Sequence, residues 1–430
     1  MKVAIAGTGY VGLVTGVCLS EKGWDVTCVD IDENKITKMK QGISPIYEKD
    51  LEELMVKNYK NGNLDYTTNY KEAYKDADII MIAVGTPERS DGSANLDYVK
   101  LVAKQIAENV EKDVIVVVKS TVPIGTNDEI EKYIKIHLKN DVRMEVASNP
   151  EFLAQGTAVK DTLYASRIAI GVESDWARER LESLYKPFGQ PIVVTNRRSC
   201  EMIKYASNDF LALKISFMND IANLCEIVGA NVEDVALGMS YDERIGNKFL
   251  KSGIGYGGSC FPKDTKALHW LANDHDYELK TIKAAIEVNE KQKLKLIRKA
   301  RELVDGFDGM KIAVLGLTFK PGTDDMREAP SISNINYLAE RGADIYAYDP
   351  VGVENAKKVF GDSITYTTSI DEALDNAEMC FIMTEWKEIV NYDIENYSKL
   401  MKTSRVLDGR NCYKVEDMKN LGIEYYSIGR

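Results

Sequence analysis

One pattern, used twice, limits the folds open to this chain more than any other. The run Lys2-Val3-Ala4-Ile5-Ala6-Gly7 is echoed by Lys311-Ile312-Ala313-Val314-Leu315-Gly316, each an apolar stretch closed by a glycine. Trp24 to Asp30 has its counterpart in Ala343 to Asp349, and Ala77 to Val84 has its counterpart in Ala377 to Thr384. Short continuous apolar runs of this kind read as strands of a parallel sheet that is covered on both faces. A strand, glycine turn, helix and second strand, repeated in one chain, predict an α/β architecture of two Rossmann-like doubly wound domains.

The stretch between the copies is different in kind. Ser199 to Val228 carries apolar residues at helical spacing, holds no Gly or Pro, and stops at Gly229. It predicts one long central helix of about 45 Å that joins the two domains, at roughly 1.5 Å per residue. So long and apolar a helix is expected to pack against a second subunit as well, giving a homodimer. The expected division is 1–196 for the first Rossmann-like domain, 197–300 for the central helical segment and 301–430 for the second. A chain of 430 residues is too long for a single core.

In the first copy the turn reads Gly7-Thr8-Gly9-Tyr10-Val11-Gly12, followed by a small-residue helix to Lys22 and a strand from Asp25 to Val29. Gly7 permits the tight turn, Gly9 the close approach of a pyrophosphate, and Gly12 the packing of helix on strand. Asp30 stands where a carboxylate accepts from an adenosine ribose and repels a 2′-phosphate, which selects NAD over NADP, with Lys35 nearby. Strands at Asp78 to Val84 and Val114 to Lys119 end in Gly85-Thr86-Pro87 and Ser120-Thr121-Val122-Pro123, small polar residues at the ends where open sheets bind ligands. The second copy breaks the fingerprint to Gly316-Leu317-Thr318-Phe319-Lys320-Pro321-Gly322, so a dinucleotide is not expected there. Lys320, Arg327 and Arg410 offer cations for a nucleotide diphosphate instead.

Charge and cysteine usage narrow the class. A formal net charge of −12 argues against a nucleic-acid binder, and no apolar run approaches the length of a membrane span. Seven cysteines without a C-x-x-C pair fit neither a disulfide framework nor a zinc site. They read as reduced thiols, and no metal is expected. The first residues run straight into a strand, so no signal peptide is expected and the cytoplasm is the expected compartment. Only three histidines occur, His137, His269 and His275, which makes a histidine acid or base a poor candidate.

One cysteine is set apart by its surroundings. In Gly255-Tyr256-Gly257-Gly258-Ser259-Cys260-Phe261-Pro262-Lys263-Asp264 a thiol follows a glycine-rich turn, and Pro262 reads as the opening of a helix. Unpaired N–H groups at a helix N-terminus favour thiolate over thiol, so Cys260 is expected to have a lowered pKa and to attack a carbonyl carbon. Lys204 and Asn208, four apart on the long helix, project from one face, as Cys260 and Asp264 do after the turn.

Taken together, the chain resembles the UDP-glucose 6-dehydrogenase family, within the wider group of nucleotide-sugar dehydrogenases. The resemblance runs over essentially the whole chain. It is carried by Gly7-x-Gly9-x-x-Gly12, Ser120-Thr121-Val122-Pro123-x-Gly125-Thr126, Asn149-Pro150-Glu151-Phe152-Leu153, Lys204-Tyr205-Ala206-x-Asn208, Arg244-Ile245-Gly246 through Asp264, and Gly316-Leu317-x-Phe319-Lys320 through Pro330. It implies oxidation of the C6 alcohol of UDP-glucose to a carboxylate with two NAD⁺, the aldehyde staying on the enzyme. Cys260 would form a thiohemiacetal and then a thioester. Lys204 and Asn208 would donate to the oxyanion, and Glu151, Asp264 and Thr121 would handle the proton and the hydrolytic water. The resemblance further implies cofactor contacts from Gly7, Gly9, Tyr10, Val11, Gly12, Asp30, Lys35, Thr86, Ser120, Thr121, Gln155, Lys263 and Arg327. It implies sugar-nucleotide contacts from Glu151, Phe152, Leu153, Lys204, Asn208, Phe249, Leu250, Lys251, Tyr256, Gly257, Phe319, Lys320 and Arg410, with Arg244 reaching into the partner's site.

The chain departs from the family pattern at Gln155, where a second glutamate is common. Gln155 can hydrogen-bond a water but cannot take a proton, so thioester hydrolysis is expected to be slower. Bland alternatives stay open residue by residue: Glu151 as a cap, Asn208 bonded within its helix, Asp264 as a first-turn carboxylate. Two other functions also stay open: a sister enzyme for GDP-mannose or a UDP-N-acetylhexosamine, and a nucleotide-sugar sensor without chemistry.

Overall fold

The computed structural model describes residues 1–430. They form two compact units, Met1–Ser207 and Asn208–Arg430. In the first unit, β1 (Lys2–Ala6), β2 (Asp25–Val29), β3 (Leu64–Thr67), β4 (Ile79–Ile82), β5 (Val114–Val118), β6 (Met144–Ser148), β7 (Ile168–Gly171) and β8 (Ile192–Thr195) make one sheet. Its order is β3-β2-β1-β4-β5-β6-β7-β8, parallel except where β6 meets β7 at Ser148 and Gly171. Chain direction across the sheet reverses between β1 and β4, which puts the switch point of a doubly wound fold beside Gly7.

Strand sequence alone explains the two-sided burial. Successive side chains point to opposite faces. Val3, Ile5, Ile79, Met81, Ile115 and Val117 pack in one core with Leu13 and Val17 of the Tyr10–Glu21 helix. Ala4, Ala6, Ile80, Ile82, Val116 and Val118 pack in another with Val102 and Ile106 of the Asp97–Asn109 helix. The fourth strand is shorter than its apolar run. Val84 leaves the sheet and its carbonyl accepts from Ser120 Oγ at 2.6 Å, so the run ends in the switch-point loop.

The second unit carries β9 (Lys311–Leu315), β10 (Asp344–Tyr348), β11 (Thr365–Tyr366), β12 (Met379–Ile382), β13 (Arg405–Asp408) and β14 (Glu424–Tyr426), all parallel, in the order β11-β10-β9-β12-β13-β14. Thus β9, β10 and β12 stand to one another as β1, β2 and β4 do, and the repeat is a repeat of folds. The alternation holds here too, with Ile312 and Val314 on one side and Ala313 and Leu315 on the other.

The central helix runs without a break from Arg197 to Val228, about 48 Å at 1.5 Å per residue. It starts two residues earlier than the apolar pattern indicates because Asn196 Oδ1 accepts from Ser199 N and caps it. No helix is long and apolar enough to cross a membrane.

Candidate active site

The first unit presents a dinucleotide cradle at the C-terminal ends of β1, β2, β4 and β5. Gly7 has φ +99°, and a Cβ there would press on the Ala83 carbonyl. A Cβ on Gly12 would overlap the Gly7 carbonyl oxygen, so this glycine is demanded by the packing of helix on strand. Gly9 differs, because a Cβ there meets nothing within 4 Å. It is the N-cap residue of the Tyr10–Glu21 helix, whose unpaired N–H groups attract a pyrophosphate. Asp30 Oδ2 accepts from Thr8 N and Thr8 Oγ1, Oδ1 accepts from Asp32 N, and Lys35 Nζ stands 3.7 Å away. Burial pushes this carboxyl up, but those donors and the Lys35 charge outweigh it and hold it below the usual carboxylate range. Thr86 Oγ1 donates to the Thr121 carbonyl at 2.9 Å, which ties the two strand-end loops together. These residues fit a bound dinucleotide: a cradle closed at Gly7 and Gly12, open at Gly9, with an anion at the ribose position.

The same unit holds a buried ion pair. Lys204 Nζ lies 2.9 Å from Glu151 Oε1 and also donates to the Glu151 carbonyl at 2.7 Å. Glu151 Oε2 accepts from Leu153 N at 2.8 Å, so the carboxylate both holds the lysine and caps its own turn. Phe152 lies under the Arg167 guanidinium and within 5.6 Å of Lys204 Nζ. Gln155 is buried in the following loop, whose Gly156 and Ala158 N–H groups are held by Glu48.

Two neighbours of this pair were not singled out from the sequence. Lys119, the residue before Ser120, is buried and donates to Asn149 Oδ1 at 2.9 Å. Burial pulls its ammonium down to about 8, with the Glu151 charge opposing. Glu201 accepts from Gly125 N, Asn127 N and Asn127 Nδ2, so it pins the loop that follows Thr121 to the helical turn just before Lys204. A lysine inside an otherwise apolar strand end, and a glutamate three residues before Lys204, were the available signals.

In the second unit Cys260 is the N-cap residue of the Phe261–Asp274 helix, as Pro262 indicates, and it is partly exposed. Ser259 Oγ lies 3.7 Å from its Sγ. Asp264, one turn on, is buried: Oδ2 accepts from Asn208 Nδ2 at 2.7 Å and Oδ1 from Lys263 Nζ at 2.6 Å. Asn208 is thus turned toward Asp264 and does not bond back within its helix. Lys263, assigned to the cofactor by resemblance, is engaged by Asp264. The neighbouring Asp209 was not singled out either, although it is buried with both carboxyl oxygens lacking a donor.

The glycines before Cys260 have a packing reason that the sequence did not carry. A Cβ on Gly257 would overlap the Glu328 carbonyl oxygen, one on Gly258 would lie 2.7 Å from the Phe319 ring, and one on Gly255 would lie 2.7 Å from Asn289 Oδ1. Gly258 N donates to the Arg327 carbonyl at 2.8 Å. The space they leave is therefore filled by the loop after β9 and by the Lys280–Lys293 helix. Arg410 has a similar role: it donates to the carbonyls of Met383, Gly255 and Phe319. Lys320 Nζ lies 5.6 Å from the Phe319 ring centroid. Arg327 is bidentate on Asp325 yet largely exposed. Leu250 and Tyr256 are buried; Phe249, at φ +63°, and Lys251 are exposed. Arg244 is 90% exposed and clasps Asp242.

In the second repeat the position of Asp30 is taken by Asp349, but its surroundings are closed. Oδ2 accepts from Leu317 N, Thr318 N and Trp386 Nε1, and Oδ1 from Val351 N and Gly352 N. A ribose has no free edge of this carboxylate to meet.

Two doubly wound sheets, one opening on a dinucleotide cradle and a buried Lys–Glu pair, the other following a thiol at the N-cap position of a helix, define a dinucleotide-dependent oxidoreductase of the α/β class. Residues 1–189, 198–291 and 313–415 match, in turn, the NAD binding domain, the central domain and the UDP binding domain described for the UDP-glucose/GDP-mannose dehydrogenase family. The chain belongs to that family. It is 52% identical over 430 residues to the UDP-glucose 6-dehydrogenase YwqF of Bacillus subtilis (strain 168), covering all of this chain and 98% of the relative. It is 46% identical over 437 residues to the UDP-glucose 6-dehydrogenase of Rhizobium meliloti (strain 1021), covering both chains completely. Among solved structures it is similar to a UDP-glucose dehydrogenase from the hyperthermophilic archaeon Pyrobaculum islandicum, with a TM-score of 0.93 and 35% identity over 99% of this chain and 96% of that one.

Proposed function

We propose that this chain is an NAD-dependent UDP-glucose 6-dehydrogenase that carries out both oxidations from C6 alcohol to carboxylate. The observation that carries the reading is full-length identity of 52% to a protein of that name, in a chain whose Cys260 caps a helix next to an Asn208–Asp264–Lys263 network. Gly7, Gly9, Tyr10, Val11, Gly12, Asp30, Lys35, Thr86, Ser120, Thr121 and Gln155 would hold the dinucleotide, which supplies the acceptor for both hydrides. Lys263 and Arg327 are the remaining cofactor contacts in this reading.

The chain's own groups do the rest. A base takes the C6 hydroxyl proton as the aldehyde forms, and Lys204 and Asn208 donate to its oxygen. A preformed donor aimed at developing negative charge lowers a barrier by about 3 kcal/mol. Cys260 Sγ adds to the aldehyde carbon and forms a C–S bond, giving a thiohemiacetal whose carbon still carries the hydrogen lost in the second oxidation. The thioester so formed is cleaved by water, with Glu151 moving the proton and Asp264 and Thr121 orienting the water. The C–S bond breaks, the thiol returns and the carboxylate leaves. Phe152, Leu153, Phe249, Leu250, Lys251, Tyr256, Gly257, Phe319, Lys320 and Arg410 line the nucleotide-sugar side in this reading. Arg410 contributes by bracing the glycine loop against the second sheet.

We also read the protein as a homodimer of the cytoplasm, with 1–196, 197–300 and 301–430 as its working parts. Free cysteines and NAD use support a reducing compartment. Phe210, Phe217 and Leu224, seven residues apart on the central helix, are 61%, 49% and 52% exposed, an apolar row that a second copy would cover. Arg244, extended from its own fold, would complete the partner's pocket.

The deciding measurement is NADH formed per molecule of limiting UDP-glucose, with Cys260→Ser beside wild type. A ratio of about two, with the variant releasing no acid, is the expected result. Reaction with GDP-mannose or a UDP-N-acetylhexosamine alone would move the substrate and keep the chemistry, whereas no reaction with any of them would favour a sensor.

A further inference from the structure

Asp209 follows Asn208 directly on the central helix and has none of the roles above. It is 2% exposed, and neither carboxyl oxygen meets a hydrogen-bond donor. An ionised carboxylate so placed loses its hydration and gains nothing, one of the costliest arrangements a fold can hold. The titratable groups that face it come from two elements: Lys263 and Asp264 of the Phe261–Asp274 helix, and Tyr256 of the glycine loop. Behind Tyr256, Glu290 of the Lys280–Lys293 helix adds a further negative charge. Burial first, and then the Asp264 charge, push the Asp209 carboxyl up to about 8, against the pull of Lys263. That one ammonium is already engaged, since Lys263 Nζ is 2.6 Å from Asp264 Oδ1 while Asn208 Nδ2 is 2.7 Å from Oδ2. Two carboxyl groups in unlike surroundings share one cation, the arrangement in which one ionises and the other keeps its proton.

We propose that Asp209 is a positioning residue, held as a neutral acid so that Asp264 is the single anion that orients the Asn208 amide. The role rests on the reading of Asn208 and Asp264 as active-site groups. When the Asp209 proton leaves, a second anion acts on the same ammonium and repels Asp264. Lys263 is then divided between two carboxylates, and its hold on Asp264, which fixes the Asn208 amide, loosens. The amide leaves the line on which it donates to the oxyanion. The loss falls on kcat, while KM, set by the nucleotide contacts, changes little.

The test uses the full-length protein, wild type and Asp209→Asn, with Asp209→Ala as a second variant that removes the acid without adding an amide. Infrared spectra without substrate are expected to show the carbonyl band of a neutral carboxylic acid in wild type at neutral pH. The band should fade as pH passes about 8 and be missing from both variants. From about pH 6 to about pH 9.5, kcat for UDP-glucose is expected to fall about tenfold per pH unit beyond that midpoint in wild type and to stay flat in the variants, with KM unchanged. Absence of the band in wild type overturns the proposal, as does an alkaline fall with the same midpoint in Asp209→Asn. A protein that carries the band yet oxidises no nucleotide sugar overturns instead the dehydrogenase reading, and the positioning role with it.

Discussion

Asp209 and Lys204 lie on one helix, five residues apart, and are buried in opposite ways: one has no partner and the other is held by Glu151 twice. The difference has a thermodynamic signature. The folded Asp209 carboxyl lies above its unfolded value near 3.8, so the folded state binds the extra proton between about pH 4 and about pH 8. Its contribution to stability is fully present below the unfolded value and is lost as pH rises toward the folded one. Asp209→Asn should therefore match wild type near pH 4 and exceed it by about 2–4 kcal/mol at pH 7.5, measured by urea unfolding at both pH values. Lys204→Met should lower kcat by about 10²–10³-fold, read from NADH formation, because it removes a donor to the developing oxyanion. Cys260 was legible because a glycine turn running into a helix start is a local pattern, and the pairing of Lys204 with Asn208 because of their spacing, whereas Glu151 entered only through the family resemblance. Asp209 and Lys119 were not legible, because what marks them is burial without solvent, and a single sequence does not state which face of a helix or strand end is covered.

At the scale of elements, the glycines separate into two kinds. Gly12 is required by the fold: its Cβ would overlap the Gly7 carbonyl, so Gly12→Ala should cost about 3 kcal/mol or more and lower Tm sharply. Gly9 borders open space, so Gly9→Ala should change stability by only about 1 kcal/mol, the usual cost of alanine at an N-cap, yet weaken NAD binding at least tenfold. Thermal melts and NAD titration of the two variants check this contrast. The sequence presents both as members of one motif. The turn before Cys260 shows the same division from the other side. Its glycines read as room for a ligand, but the atoms that fill the room at 255, 257 and 258 belong to Asn289, Glu328 and Phe319. Gly257→Ala should accordingly destabilise the second unit and lower Cys260 reactivity together, as measured by unfolding and by the rate of thiol alkylation.

At the scale of the whole molecule, the two repeats have diverged around a shared plan. Asp30 and Asp349 sit at the same place after the second strand of each copy, and what differs is who donates to them. Trp386 and four backbone N–H groups close the second, so the two units cannot exchange roles despite their common topology. The exposed row Phe210, Phe217 and Leu224 belongs to this scale as well. If that row is the dimer face proposed above, Phe217→Asp should yield monomers by light scattering, with activity reduced at least tenfold if Arg244 completes a partner's site.

The sequence by itself determined the elements and their kind. The short apolar runs of the strands, the glycine or aspartate that closes the first two strands of each repeat, and the unbroken helical period from Ser199 are local properties, and local sterics and hydrophobic pattern read them directly. It also marked Cys260 and the fingerprint, because a helix N-terminus is a local object. Only the tertiary structure decided that Lys204 closes on Glu151, that Asn208 turns to Asp264, that Arg410 braces the glycine loop, and that Asp209 is left with no donor. Those facts depend on which distant segments meet, and desolvation, which sets their energies, exists only once they have met.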